Sequence, residues 1–130
     1  MSDTPLIKRL LIYVTQRGWR MFRNDCGQGY VGRLQSEYRS SAGSVVELSR
    51  AKRIRYGLTP GSSDLIGWRS IVITPDMVGQ RIAQFTAVEA KTPGDRVRPD
   101  QRNFLDQVKA AGGYAAIGRE SAAGTELEDV

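Results

Sequence analysis

Histidine is absent from the 130 residues, and cysteine occurs once, at Cys26. Without imidazole there is no Ser-His-Asp or Cys-His nucleophile, no imidazole-based zinc site and no nuclease mechanism resting on a histidine base. Carboxylates and lysine are left to run any chemistry. One cysteine cannot form an internal disulfide, so the core must stand on packing, as in an intracellular protein. Long apolar runs are missing too. The longest near the N-terminus, Leu10 to Val14, is too short for a signal-peptide core or a membrane span, and Lys8 and Arg9 precede it. The reading is a cytoplasmic, non-secreted chain without a targeting segment.

Acidic residues are comparatively few and unevenly placed. Lysine and arginine number 19 against 14 aspartates and glutamates, a net charge of +5. Residues 119–130 hold Arg119 against Glu120, Glu126, Glu128 and Asp129, so residues 1–118 carry 18 basic and 10 acidic side chains, or +8. Fifteen of the basic residues are arginine, whose planar fork pairs with two phosphate oxygens at once. Such a body suits a polyanion. A solubilising arginine surface gives the same count, so the charge acquires meaning only with a site beside it.

A chain of this length holds one core of several strands and two or three helices, and any catalysis must fit one compact site. Thr4 and Pro5 supply a cap and a first-turn proline for a helix with Leu6, Ile7, Leu10, Leu11 and Val14 on one face, ended by Gly18. Residues 19–23 suit a short strand, residues 24–32 a glycine-containing loop, and residues 33–44, rich in serine and arginine, give the weakest signal. Val45 to Leu48 and Arg53 to Tyr56 read as two short strands. Trp19 and Trp68 have strand-like neighbours and read as core residues rather than base-stacking platforms.

Asp64 follows the turn segment Gly57 to Ser63 and stands where a loop becomes a strand; the β-branched run Ile71 to Thr74 comes next. Phe85 to Lys91 alternates, with Phe85, Ala87, Glu89 and Lys91 on one face, so a β-hairpin carrying Asp64 and Glu89 is expected. Pro99 opens a second helix with Phe104, Leu105, Val108 and Ala111 as its buried stripe, and Gly112 and Gly113 stop it. Tyr114 to Ile117 is a last short strand, and residues 119–130 read as a frayed acidic tail.

Glu89 and Lys91, two apart on a strand, leave the same face with roots about 7 Å apart. Asp64 on the neighbouring strand adds a second carboxylate, and the Ala90 backbone carbonyl a further oxygen, a donor set suited to Mg²⁺ or Mn²⁺. A metal there acidifies a water, and Lys91 positions the nucleophile or stabilises charge on phosphorus, giving hydrolysis without histidine. Gln101 lies three and four residues before Phe104 and Leu105, hence on the inward face of its helix, where Lys91 or a metal-bound water is its expected partner.

The ordered set Gly61-Ser62-Ser63-Asp64-Leu65-Ile66-Gly67, Glu89-Ala90-Lys91-Thr92, Pro99-Asp100-Gln101-Arg102-Asn103-Phe104-Leu105 and Ala110-Ala111-Gly112-Gly113 resembles the PD-(D/E)xK nuclease superfamily, and closely its VRR-NUC (virus-type replication-repair nuclease) branch. The resemblance covers residues 55–118 well, and Arg23, Asn24 and Gly27 more loosely. It implies an α/β fold with a restriction-endonuclease-like αβββαβ core, a mixed central sheet flanked by helices, as a single nuclease domain over residues 1–118 of the free-standing phage type. In that core Asp64 and Glu89 bind the metal, Lys91 is the catalytic lysine and Gln101 supports the site. Many relatives place a glutamate near the start of the first helix; here Asp3 is the carboxylate nearest that place.

The activity implied is a metal-dependent, structure-specific DNA endonuclease, resolving Holliday junctions in phage replication or recombination as a homodimer, with no membrane and no small-molecule cofactor. A flap or single-strand nuclease, a non-catalytic DNA-binding protein of the same fold and a carboxylate-pair glycosidase are the rivals; Lys91 and the basic body favour a phosphate substrate over a neutral sugar. Arg23, Asn24, Lys52, Arg53, Arg55 and Arg98 flank the motifs as candidate phosphate contacts. Each residue alone has a plainer reading: Asp64 as a turn cap, Glu89 and Lys91 as a surface ion pair, Gln101 as a first-turn residue bonded to backbone.

Overall fold

The computed structural model describes residues 4–130, in which helix α1 (Thr4–Gln16) is followed by strands β1 (Arg20–Arg23), β2 (Gly27–Ser40), β3 (Gly43–Tyr56), β4 (Leu65–Trp68) and β5 (Thr86–Lys91), helix α2 (Pro99–Ala110) and strands β6 (Tyr114–Ser121) and β7 (Gly124–Asp129). The chain divides into two compact units, one of residues up to Tyr13 with Met21–Ile66 and one of Val14–Arg20 with Gly67–Val130. The sheets are β1 with β4, β2 with β3, and β5-β6-β7.

Both helices end as their glycines predict. Gly18 takes φ 79° and Gly112 φ 96°, the left-handed region open to a residue without Cβ. The following amides turn back: Trp19 N–H donates to Val14 at 3.0 Å and Gly113 N–H to Val108 at 2.9 Å, satisfying carbonyls that the last turn leaves open. On α1 the buried positions are Ile7 and Val14, whereas Leu6 and Leu10 are exposed, so the apolar stripe is narrower than the pattern suggests.

In the first unit, β2 and β3 form an antiparallel hairpin of 14 residues per strand, extending through residues that read as loop and as weak signal. Tyr30, Val31, Tyr38, Val45, Val46 and Ile54 give it the β-branched and aromatic content that strands favour. Register shifts between Val31 and Arg33 and between Leu34 and Ser36, with Arg50 at φ 52°, break the alternation that makes a strand legible. At the hairpin's end Gly57 has φ 79°, and a Cβ there would collide with the Asp25 carbonyl and Cys26. Only glycine fits.

In the second unit, β5 and β6 are parallel and α2 makes the crossover between them; β7 then pairs antiparallel with β6. The three-stranded sheet is thus mixed, its antiparallel pair supplied by a segment that reads as tail. Leu105, Val108, Ala115 and Ile117 form the core, with Trp68, Phe85, Ala87, Val97 and Val130 packed against it. The Trp68 ring lies 4.7 Å from Phe85 and 6.3 Å from Phe104, between centroids, which fixes Trp68 as a packing residue. Trp19 is half-buried under the Arg69 guanidinium, 5.5 Å from its ring.

Three expectations are corrected. The hairpin joining Asp64 to Glu89 does not form: β4 pairs with β1, and β5 is an edge strand whose partner is β6. The run Ile71 to Thr74 is irregular and its three large side chains are exposed, because β-branched residues make a strand only where a partner edge is offered, and Pro75, without an N–H, ends the run. Residues 119–130 are not a frayed tail either. Their acidic side chains find donors: Arg119 pairs with Glu128 at 3.3 Å, and the Tyr114 hydroxyl donates to Asp129 at 2.6 Å. That bond to Asp129 raises the Tyr114 phenol above its ordinary pKa. The Val130 amide donates to Ala115 at 3.2 Å and its side chain packs on the core. Deleting residues 122–130 is therefore expected to lower the melting temperature by several degrees, checked by thermal unfolding, while the Gln101–Glu89 bond between α2 and β5 is kept.

Candidate active site

Strand β5 buries every second residue: Ala87, Glu89 and Lys91 are half-buried while Thr86, Val88 and Ala90 are exposed. Glu89 thereby faces α2 across a cavity of about 450 Å³ that Phe85, Asp100, Gln101, Phe104 and Leu105 also line. Lys91 Nζ stands 3.5 Å from Glu89 Oε1, with the lysine side chain 8% and the glutamate 30% exposed. A lysine so enclosed differs from a solvated surface ion pair.

Gln101 completes the cluster from α2. Pro99 opens that helix, so Gln101 occupies its third position, and its Oε1 accepts the Arg98 backbone N–H at 3.0 Å. Its Nε2 donates to Glu89 Oε1 at 2.6 Å. The backbone-capping reading and the site reading are thus both realised, one by each end of the amide. The side-chain partner is Glu89 rather than Lys91, because a carboxylate is an acceptor alone while an ammonium offers only donors to the amide nitrogen.

Both recorded contacts to Glu89 fall on Oε1; among the described residues none falls on Oε2. The Phe85 carbonyl accepts the Tyr114 N–H at 2.9 Å and so points at β6. Successive carbonyls of a strand point to opposite edges, so that of Ala90 lies on the edge of β5 away from β6. A half-buried carboxylate oxygen and an edge carbonyl are hard donors of the kind a divalent cation prefers. Among the described residues no three histidine, cysteine, aspartate or glutamate side chains converge as a metal cluster.

Asp64 belongs to the first unit, exposed at the end of its loop, with no side-chain hydrogen bond or ion pair among the described residues. Its backbone is held instead. Its carbonyl accepts the Asn24 N–H at 2.8 Å. The Asn24 amide donates to Ser62 Oγ and to the Ser63 carbonyl, both at 2.8 Å, and accepts the Leu58 N–H at 3.0 Å.

The sequence profile of the VRR-NUC domain matches residues 27–119. The chain belongs to the VRR-NUC domain family. No similarity to a curated protein or to a solved structure is found. As a VRR-NUC domain the chain is a nuclease acting on DNA, and its mixed α/β architecture is compatible with a nuclease fold. The matched span contains Asp64, Glu89, Lys91 and Gln101.

The candidate phosphate contacts of the VRR-NUC domain separate. Both ends of the Asn24 amide are committed to the loop before Asp64, so Asn24 positions that loop. Replacing Asn24 by leucine leaves Ser63 and Leu58 without their partner and is expected to destabilise the domain by about 1–3 kcal/mol, read from the urea midpoint, with a larger loss of cleavage than of binding. Arg23 pairs with Asp25 at 2.8 Å, and Arg98 with Asp100 at 3.2 Å. The Arg98 hydrogen bond holds the Asp100 carboxyl below its ordinary pKa. Lys52, Arg53 and Arg55 are exposed on β3. Asp3 lies outside the described residues.

Sequence reasoning missed the clamp role of Asn24 and its acceptor Ser62. The available signal was the polar turn Thr59 to Ser63, whose hydroxyls satisfy local backbone: Ser62 Oγ donates to the Thr59 carbonyl at 2.6 Å.

Proposed function

We propose that this VRR-NUC domain is a Mg²⁺- or Mn²⁺-dependent, structure-specific DNA endonuclease with a PD-(D/E)xK core, resolving four-way (Holliday) junctions as a homodimer in phage DNA replication or recombination. The observation that carries the reading is the enclosed cluster of Glu89, Lys91 and Gln101. Asp64, Glu89 and the Ala90 carbonyl would hold the ion. A bound divalent cation supplies an acidified water and charge stabilisation at phosphorus.

Gln101 fixes Oε1 of Glu89, which orients the carboxylate and leaves Oε2 uncommitted among the described residues. Lys91 keeps a positive charge beside that carboxylate and screened from bulk water, where it stabilises negative charge developing on a phosphate. Its stem is buried, so the charge is positioned before substrate arrives. A two-fold symmetric junction is cut on two strands, and one chain carries one such cluster, so two copies related by a two-fold axis complete the reaction.

The test compares initial rates on a synthetic four-way junction, a 5′ flap, single strands and linear duplex in Mg²⁺ and in Mn²⁺, with the mass of the active species measured in solution. Preferential junction cleavage by a dimer is expected. Preference for the flap or the single strand would instead assign the domain to repair, and metal-independent binding without turnover would make it a non-catalytic DNA binder.

A further inference from the structure

The hairpin of β2 and β3 is longer than its own packing accounts for. Two-stranded hairpins are marginal in water unless one face is covered, yet Tyr30, Val31, Leu34, Tyr38, Val46 and Ile54 are all exposed along this one. Its charge is also polarised along its length. Residues 27–33 and 49–56 carry Arg33, Arg50, Lys52, Arg53 and Arg55 with no acidic residue, whereas residues 34–48 hold Arg39 with Glu37 and Glu47. Among the described residues none of those five cations has an ion-pair partner.

The register sorts these residues by face. Gln28 stands opposite Arg55 and Tyr30 opposite Arg53, and directly opposed residues share a face. Val31 with Lys52 and Gly29 with Ile54 take the other face, so Lys52 is separated from the two arginines. Arg53 lies over the Tyr30 ring, 5.7 Å from its centroid, and donates to the Tyr30 hydroxyl at 3.2 Å. The ring contact and the hydroxyl bond hold its guanidinium against the hairpin through one nitrogen, leaving its other donors for a ligand. Arg53 and Arg55, two apart, stand about 7 Å from each other along the strand, a spacing that matches neighbouring phosphates on one nucleic-acid strand.

We propose that the face formed by Gln28, Tyr30, Arg53 and Arg55 grips the sugar-phosphate backbone of DNA, so that the hairpin is the domain's substrate arm. The proposal rests on the reading that the chain acts on DNA. A second copy is the poorer occupant, because a two-fold contact sets this face against itself and brings unpaired cations together. A polyanion neutralises them.

The experiment is fluorescence-anisotropy binding of the full chain to a labelled four-way junction and a duplex in EDTA, across 50–200 mM salt. The double variant Arg53→Ala, Arg55→Ala is expected to bind roughly 10- to 100-fold more weakly, with the slope of log K against log salt reduced by about 2, since each phosphate contact contributes roughly 0.9. Arg53→Lys, Arg55→Lys keeps the slope, and Arg39→Ala, a charge lost near the hairpin's tip, keeps both slope and affinity. Circular dichroism confirms that each variant is folded. Wild-type binding matched by the double alanine variant overturns the arm alone, as does a variant whose mass changes while its DNA affinity does not. Failure of the wild type to bind DNA overturns the nuclease reading together with the arm.

Discussion

Replacing Lys91 by alanine is expected to slow metal-dependent DNA cleavage about a thousandfold while leaving the domain folded. The lysine is 8% exposed and lies 3.5 Å from Glu89 Oε1, so its charge acts in a site partly closed to water, where a fixed donor is worth more than in bulk solvent. Truncation leaves Glu89 with Gln101 as its one remaining partner among the described residues, and no other cation replaces the ammonium. Arginine is not a conservative replacement, since a planar guanidinium does not occupy the position of a compact ammonium. Single-turnover cleavage rates with thermal unfolding as control give the measurement. A Lys91→Ala variant that cuts at the wild-type rate removes the lysine from the mechanism.

Leu105→Ala is expected to cost about 3 kcal/mol of stability and lower the melting temperature by roughly 10 °C. Leu105 is 2% exposed, belongs to the core with Val108, Ala115 and Ile117, and also lines the cavity that Glu89 faces. It follows Gln101 by one helical turn on the same side of α2. The void therefore slackens the helix directly behind the 2.6 Å bond from Gln101 to Glu89, and cleavage falls even below the unfolding transition. Asp106→Ala, on an exposed neighbouring position, is expected to change stability by no more than about 0.5 kcal/mol. Equal effects of the two substitutions would show that α2 is not anchored by Leu105.

The parts of the fold written into local chemistry were legible. Gly18 and Gly112 mark helix ends because only left-handed backbone turns the chain there, and β5 alternates because one of its faces meets the core. The parts decided by partners were not. Bulges around Gly32 and Gln35 shift the β2 and β3 register, so a hairpin of two 14-residue strands reads as fragments. Ile71 to Thr74 has strand residues but no edge to join, and residues 124–129 have loop-like composition but find β6 beside them.

The site divides on the same line. Glu89 and Lys91 follow from spacing on one strand, and Gln101 from its place on the inward face of α2; their meeting is a tertiary fact with Glu89 as the hub. Asp64 enters the proposed site through the motif, since the hairpin expected to carry it beside Glu89 does not form. Its support by Asn24, 40 positions earlier in the chain, was invisible to any local pattern.

The most direct test of the central claim is cleavage of a four-way junction by the wild-type chain with Mg²⁺ or Mn²⁺ and with EDTA, beside Asp64→Asn and Glu89→Gln. These substitutions keep shape and remove one negative charge each. The account predicts cutting by the wild type only when the metal is present and no detectable cutting by either folded variant. Cutting in EDTA, or cutting at wild-type rates by both variants, would contradict it.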